Sequence, residues 1–150
     1  MIYSNREYTV GVNVQVDKFI PLDKSYADSV ELYFNTKRKV GFPMAVVGFM
    51  SIPIIRWDEV TFELSGEYLY VSGKKEDSDG NRYNGSATVK IKPLSDAYHI
   101  SVTLSQKVMK QVLKILKDYK GKDMVLWIVE GGMMAIEIGE VKIYAAGLKE

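Results

Sequence analysis

The chain has 150 residues, 47% hydrophobic and 26% charged, with 12 Gly and 4 Pro, a composition of one packed domain and not of a disordered or fibrous segment. Twenty basic residues against 19 acidic ones leave a net charge of +1, so a polyanionic partner would have to be met by local clustering of charge. The absence of Cys excludes disulfides, thiol nucleophiles and Cys-based zinc sites, and a lone His, His99, excludes a multi-His metal centre within one chain.

The N-terminus, MIYSNREY, has no basic stretch followed by an apolar run, so no signal peptide is expected. No window reaches the roughly 18 apolar residues of a membrane span. The expected location is therefore the cytoplasm. Tyr8, Val10, Val12, Val14 and Val16 alternate with Thr9, Gly11, Asn13 and Gln15, which predicts a half-buried strand closed by Pro21.

Two readings stand for residues 23–39. Tyr26, Val30, Tyr33 and Phe34 fall at helical spacing, which suits a helix over 24–35 capped by Asp23 or Ser25; SVELYF could instead be a short strand. The helix is favoured. Two readings also stand for the apolar run Val40 to Ile55. It is a buried connection or a strand covered on both faces, or it is an exposed patch that docks a protein partner through Phe42, Phe49 and Ile54.

Val60, Phe62 and Leu64 alternate before a turn at Gly66, and LYVSG returns as the second strand of a hairpin. KKEDSDGNRYNGS reads as a polar loop. Ala87, Val89 and Ile91 alternate before Pro93, and Tyr98, Ile100, Val102 and Leu104 alternate again. One clear helix runs over 105–119, with Ser105 as N-cap and Gly121 as stop. MVLWIVEG, MMAIEIG and VKIYAAG close the chain as three strands, separated by Gly131-Gly132 and Gly139-Glu140 in tight turns. Six or seven strands and one or two helices predict an α+β fold. It is read as a single domain over 1–150, rich in antiparallel sheet, with 1–51 as its N-terminal part.

The 105–119 helix carries the sharpest pattern. At 100° per residue, Lys107, Lys110, Lys114 and Lys117 fall within about 80° of one another. Val108, Met109, Val112, Leu113, Ile115, Leu116 and Tyr119 take the opposite side, and Gln111 and Asp118 border the lysines. A solvated helix usually mixes signs, because like charges at i,i+4 repel. Lys120 and Lys122 extend the basic run past the helix. These residues are the candidate contacts to a phosphate backbone; the alternative is a merely solubilising surface.

Other motifs carry less chemistry. Counted from Asp77, DSDGNRYNG puts Gly80 fourth and Thr88 twelfth, where a calcium loop needs Gly sixth and Glu twelfth, so a hairpin loop is expected and no metal. His99 lies between apolar alternating neighbours and should face solvent. Glu137 and Glu140 sit on strand edges or turns. No paired carboxylates, triad or Gly-rich phosphate loop is present, and neither an enzyme nor a cofactor is expected. If Tyr68 and Tyr70 face outward beside lysines, with Trp57 nearby, they could stack the bases of a single strand.

From residue 52 onward the chain resembles a domain of the DNA sliding clamps, the bacterial beta-clamp and proliferating-cell-nuclear-antigen superfamily. The residues that carry the resemblance are IPIIRWDEVTFELSGEYLYVSG, AYHISVTLSQKVMKQVLKILKDYKGKDMVLWIVEGG and MMAIEIGEVKIYAAGL, which follow the order of hairpin, strand–helix–strand and closing hairpin over about 52–148. The resemblance implies a role in DNA replication and processivity. It also implies that Lys107, Lys110, Lys114 and Lys117 face duplex DNA, and that several copies associate, since clamp rings hold six such domains. The expected function is a non-catalytic, sequence-independent DNA-binding protein that forms a homo-oligomer. Strand edges at 86–92 and 141–146 would join the copies. A protein-interaction module acting through 40–55 and a single-strand binder are the alternatives.

Overall fold

Residues 2–4, 9–12, 19–21 and 24–148 are described by a computed structural model, with side chains described over 28–148. The alternating segments form strands because one face of each must be buried, and the segments of period 3.6 form helices for the same reason. In chain order the elements begin with β1 (Ile2–Ser4), β2 (Thr9–Val12) and β3 (Phe19–Pro21), followed by α1 (Lys24–Thr36), β4 (Lys39–Ala45) and α2 (Val46–Met50). Next come β5 (Glu59–Ser65), β6 (Tyr68–Glu76), β7 (Arg82–Lys90) and β8 (Ile100–Ser105). The chain continues with α3 (Gln106–Leu116), a 3-10 turn (Lys117–Tyr119), β9 (Asp123–Val129), β10 (Met133–Ile138) and β11 (Val141–Ala146). The class is α+β, as expected. Segment 24–36 is a helix and not a strand, and the 105–119 helix is α3 plus its 3-10 turn. Of the strand expected over 8–16, residues 9–12 are β2 and the rest lies outside the described residues.

The strands make two antiparallel sheets. Sheet A runs β3-β2-β1-β11-β10-β9-β4 and sheet B runs β7-β6-β5-β8. Along β9, Met124, Leu126 and Ile128 join one large core with Phe42, Phe62, Leu104 and the apolar side of α3. The alternate residues of sheet A point the other way. There Trp127, Val129, Ala135 and Tyr144 meet Phe34 of α1 in a separate small cluster. Phe34 packs edge-on against both Trp127 and Tyr144, at 5.8 and 5.6 Å between ring centroids. The two long helices therefore cover opposite faces of sheet A.

Of the two readings of the 40–55 run, the buried one holds and the exposed docking patch does not: β4 pairs along its whole length with β9, α2 follows, and Val40, Phe42, Val46, Phe49, Ile54 and Ile55 are all buried. Two departures from the sequence reading have clear causes. The polar stretch 74–86 is mostly strand. β6 continues to Glu76 and β7 begins at Arg82, because Trp57 slides under the hairpin where Gly73 faces Gly85. That tertiary support replaces the apolar alternation the sequence lacks there. Finally, 141–146 is not an edge: β11 is paired on both sides, to β1 and β10. Of the 86–92 expectation the edge position is seen, since β7 is one of the two edge strands of sheet B.

Candidate nucleic-acid interface

α3 begins where Ser105 leaves the strand conformation of β8. The Ser105 hydroxyl accepts the Val108 N–H at 3.3 Å, which caps one of the helix's orphan donors. Val108, Met109, Val112, Leu113, Ile115 and Leu116 are then buried in the main core. Lys107, Lys110, Lys114 and Lys117 are all exposed on the opposite side, with Asp118 at their border. Lys120 and Lys122 are exposed in the turn that follows. Among the described residues, no ion pair is formed by Lys107, Lys110 or Lys117.

Magnitudes decide why such a helix is tolerated. Three like-charged neighbours (107/110, 110/114, 114/117) cost roughly 0.2–0.5 kcal/mol each. Lys114 in the last turn recovers part of this from the helix dipole. Burying the six apolar side chains is worth on the order of 10 kcal/mol gross. Packing therefore sets the helix, and its outer face is free to carry one sign of charge.

Sequence reasoning missed Arg56. The turn between α2 and β5 docks on the start of α3: the Gln106 N–H donates to the Asp58 carbonyl at 2.9 Å, and the Gln106 side-chain amide donates to the Arg56 carbonyl at 3.2 Å. Arg56 is exposed and donates to the Met50 carbonyl at 3.3 Å. It lines a small apolar cleft of about 230 Å³ with Gln106, Met109, Lys110 and Leu113. A fifth positive charge thus stands beside Lys110, 54 residues away in sequence. Only the chain reversal that positions it could reveal it.

Four expected contacts fall elsewhere. Gln111 is 6% exposed and is turned into the protein, so it does not flank the lysines in solvent. The 60° that separates it from Lys114 on the helical wheel carries it below the rim of the packed surface. Phe42, Phe49 and Ile54 are core residues at 0%, 0% and 5% exposure, and Phe49 stacks on Phe62 at 5.8 Å. A partner cannot reach them in the folded chain. The docking reading of 40–55 loses its residues with them.

The aromatic platform is also divided. Tyr68 and Tyr70 do face solvent on the outer side of sheet B, 6.3 Å apart, and Tyr68 stands opposite Lys90. Trp57 lies on the inner side, beneath Gly73 and Gly85, with the Lys75 ammonium 4.8 Å above its ring. The three rings share no surface. His99 is exposed, 3.5 Å from Glu63. The Asp77 carboxylate accepts from the Asn81 and Asp79 N–H groups, the Asn81 side chain and the Tyr83 hydroxyl, and those bonds, led by the Asn81 N–H, hold its pKa below the ordinary value. Its lone pairs close the hairpin turn. Among the described residues, no group of three or more acidic or His side chains is placed to hold a metal ion. No helix among them is long and apolar enough to cross a membrane. A cleft of about 720 Å³ opens where β8 meets the Gly131-Gly132 turn, lined by the hydroxyl residues Tyr33, Ser101 and Thr103 and by apolar Val102, Met133 and Leu148, with no Lys, Arg, Asp or Glu. It lies apart from the basic face. Comparison with protein-family models finds no match, and comparison with curated proteins finds none either.

Proposed function

We propose that this protein is a non-catalytic, clamp-like DNA-binding protein of the cytoplasm that lays the outer face of α3 along the phosphates of a duplex without reading its sequence. The observation that carries the reading is the exposed stripe Lys107, Lys110, Lys114 and Lys117, joined by Arg56 from a distant turn, on a helix whose other side is core. Lys120 and Lys122 lengthen the basic surface. The order β8–α3–β9 followed by the β10–β11 hairpin supports the same reading through the resemblance to sliding clamps. From Lys107 to Lys117 the helix rises about 15 Å, which spans about four phosphates of one strand. Four neutralised phosphates give a log–log salt slope of about −3.6, so affinity falls about a hundredfold between 50 and 200 mM salt. One stripe of that size binds weakly, and tight retention calls for more than one copy on the same duplex.

The test is a titration of labelled duplex DNA at both salt concentrations. It compares the wild type with the quadruple variant Lys107→Glu, Lys110→Glu, Lys114→Glu, Lys117→Glu. The steep salt dependence and loss of binding in the variant, with its thermal melting retained, are expected. Wild-type-like affinity in the variant would sink the reading.

One observation favours a second reading, single-strand binding. Tyr68 and Tyr70 are both solvent-facing, neighbouring rings with Lys90 across the strand, which is what base stacking beside a backbone contact needs. Loss of oligothymidine binding in a Tyr68→Ala, Tyr70→Ala variant, with duplex binding unchanged, would favour it over the first.

A further inference from the structure

The backbone of β7 is an unused template. The Ile91 N–H donates to the Glu67 carbonyl at 2.8 Å and the Asp77 N–H to the Asn81 carbonyl at 2.9 Å. With the register Tyr68↔Lys90 to Glu76↔Arg82, these two bonds set the phase of the ladder. Odd-numbered residues of β7 exchange hydrogen bonds with β6. The N–H and C=O groups of Arg82, Asn84, Ser86, Thr88 and Lys90 therefore point outward from the sheet. Among the described residues nothing covers them, and β7 contains neither a proline nor an inward-pointing charge to blunt the edge.

Each of the other long edges already accepts a bond from a neighbouring segment. The Thr103 carbonyl on β8 accepts the Leu148 N–H at 2.7 Å, and the Gly41 carbonyl on β4 accepts the Leu94 N–H at 2.8 Å. β3 is only three residues long. A head-to-tail assembly needs two complementary edges, whereas a single open edge can be matched only by itself.

We propose that β7 is a self-association edge: two copies pair β7 against β7, antiparallel about a two-fold axis, and their four-stranded sheets join into one. The registers allowed by the outward groups differ in charge. With Ser86 opposite Ser86 of the second copy, Arg82 would face Lys90, a like-charge pair. With Gly85 opposite Gly85 of the second copy, Arg82 faces Thr88, Asn84 faces Ser86 and Tyr83 faces Ala87, so no like charges are opposed. Four hydrogen-bonded pairs then form, about eight main-chain hydrogen bonds at two per pair. Between these two registers the side chains select the second. The choice of a second copy as occupant rests in part on the proposed function, which calls for more than one basic stripe. The pairing itself is tested without nucleic acid, so its failure and the failure of DNA binding are separate results.

The experiment is sedimentation equilibrium from micromolar to millimolar protein, for the wild type and for Ser86→Pro. A proline at an outward-pointing residue removes a donor from the open edge and leaves the β6 ladder whole. The expected result is a monomer–dimer equilibrium for the wild type that ends at two copies. Ser86→Pro should weaken it at least tenfold with an unchanged circular-dichroism spectrum and melting temperature. Because the chain has no Cys, the Asn84→Cys, Ser86→Cys variant provides an independent measurement, and mild oxidation should lock it as a covalent dimer. A wild type that stays monomeric to millimolar concentration, association that runs past two copies, or an oxidised variant that yields no covalent dimer would each overturn the pairing.

Discussion

α1 and α3 are helices of similar length, 13 and 11 residues, set on opposite sides of sheet A, and they are stabilised very differently. α3 buries six apolar side chains in the main core. Over its described side chains, 28–36, α1 buries Phe34 alone, in a cluster of four. Their outer surfaces differ in step. α3 presents a row of lysines, whereas α1 carries Asp28 and Glu31 and no basic residue over 28–36. Extreme surface charge is found on the helix whose buried side can absorb the repulsion, and the lightly anchored helix stays mixed or acidic.

Four substitutions sharpen or break this contrast. The largest effect is expected at the base of α3: Leu116, fully buried, should cost about 2–5 kcal/mol on replacement by Ala, read by urea denaturation. Phe34→Ala should act locally instead, raising hydrogen exchange in α1 well before that of β9. Equal loss of protection in both elements would show that α1 is an integral part of the main core. A smaller effect is expected at the α3 cap, where Ser105→Ala should lower stability by about 1 kcal/mol and fray the turn that bears Lys107. A change under about 0.3 kcal/mol would mean that packing alone starts the helix.

The smallest effect concerns the α1 face. The Tyr144 hydroxyl is buried with no partner among the described residues, and burial, reinforced by Glu31 and Glu137, pushes its pKa above the ordinary 10.0. Tyr144→Phe should therefore be neutral or stabilising by up to about 1 kcal/mol at pH 7. The neutral phenol contributes its stability fully below pH 10.0, and loses it as pH rises beyond that, because the unfolded chain ionises first. The wild type should accordingly lose stability more steeply than Tyr144→Phe in alkaline melts. Parallel curves would mean that the hydroxyl is solvated.

What could be read from sequence follows where burial imposes a period. α3, β5, β8 and the β9–β10–β11 meander each present one face to the core, so Val60/Phe62/Leu64 and the α3 stripe are visible as patterns. The buried residues of the 40–55 run are divided among β4, α2 and the turn beyond, so Phe42, Phe49 and Ile54 share no single period, and Pro43, Gly48 and Pro53 interrupt the pattern. The distal half of β6–β7 is held by Trp57, a residue outside the hairpin, so its own residues show no alternation. The lysine stripe was legible because it lies on one regular helix. Arg56 was not, since its position depends on a turn docking on Gln106, and Gln111 was misplaced because a wheel gives angle but not depth.

Each tryptophan rests on glycine. A methyl group at Gly41 would come within 2.5 Å of the Trp127 ring across the β4–β9 ladder, and one at Gly85 within 2.5 Å of Trp57, with Gly73 close behind at 3.2 Å. Neither partner of such a pair is at liberty to change alone: a side chain at the glycine evicts the ring, and a smaller residue at the tryptophan leaves a hollow over a bare backbone. In divergent relatives of this chain, positions 41 and 127 should drift as one unit and positions 57, 73 and 85 as another. That covariation would be a heritable trace of two close ring-on-backbone contacts, one between neighbouring strands of sheet A and one beneath the β6–β7 hairpin, readable long after the lysines have been exchanged.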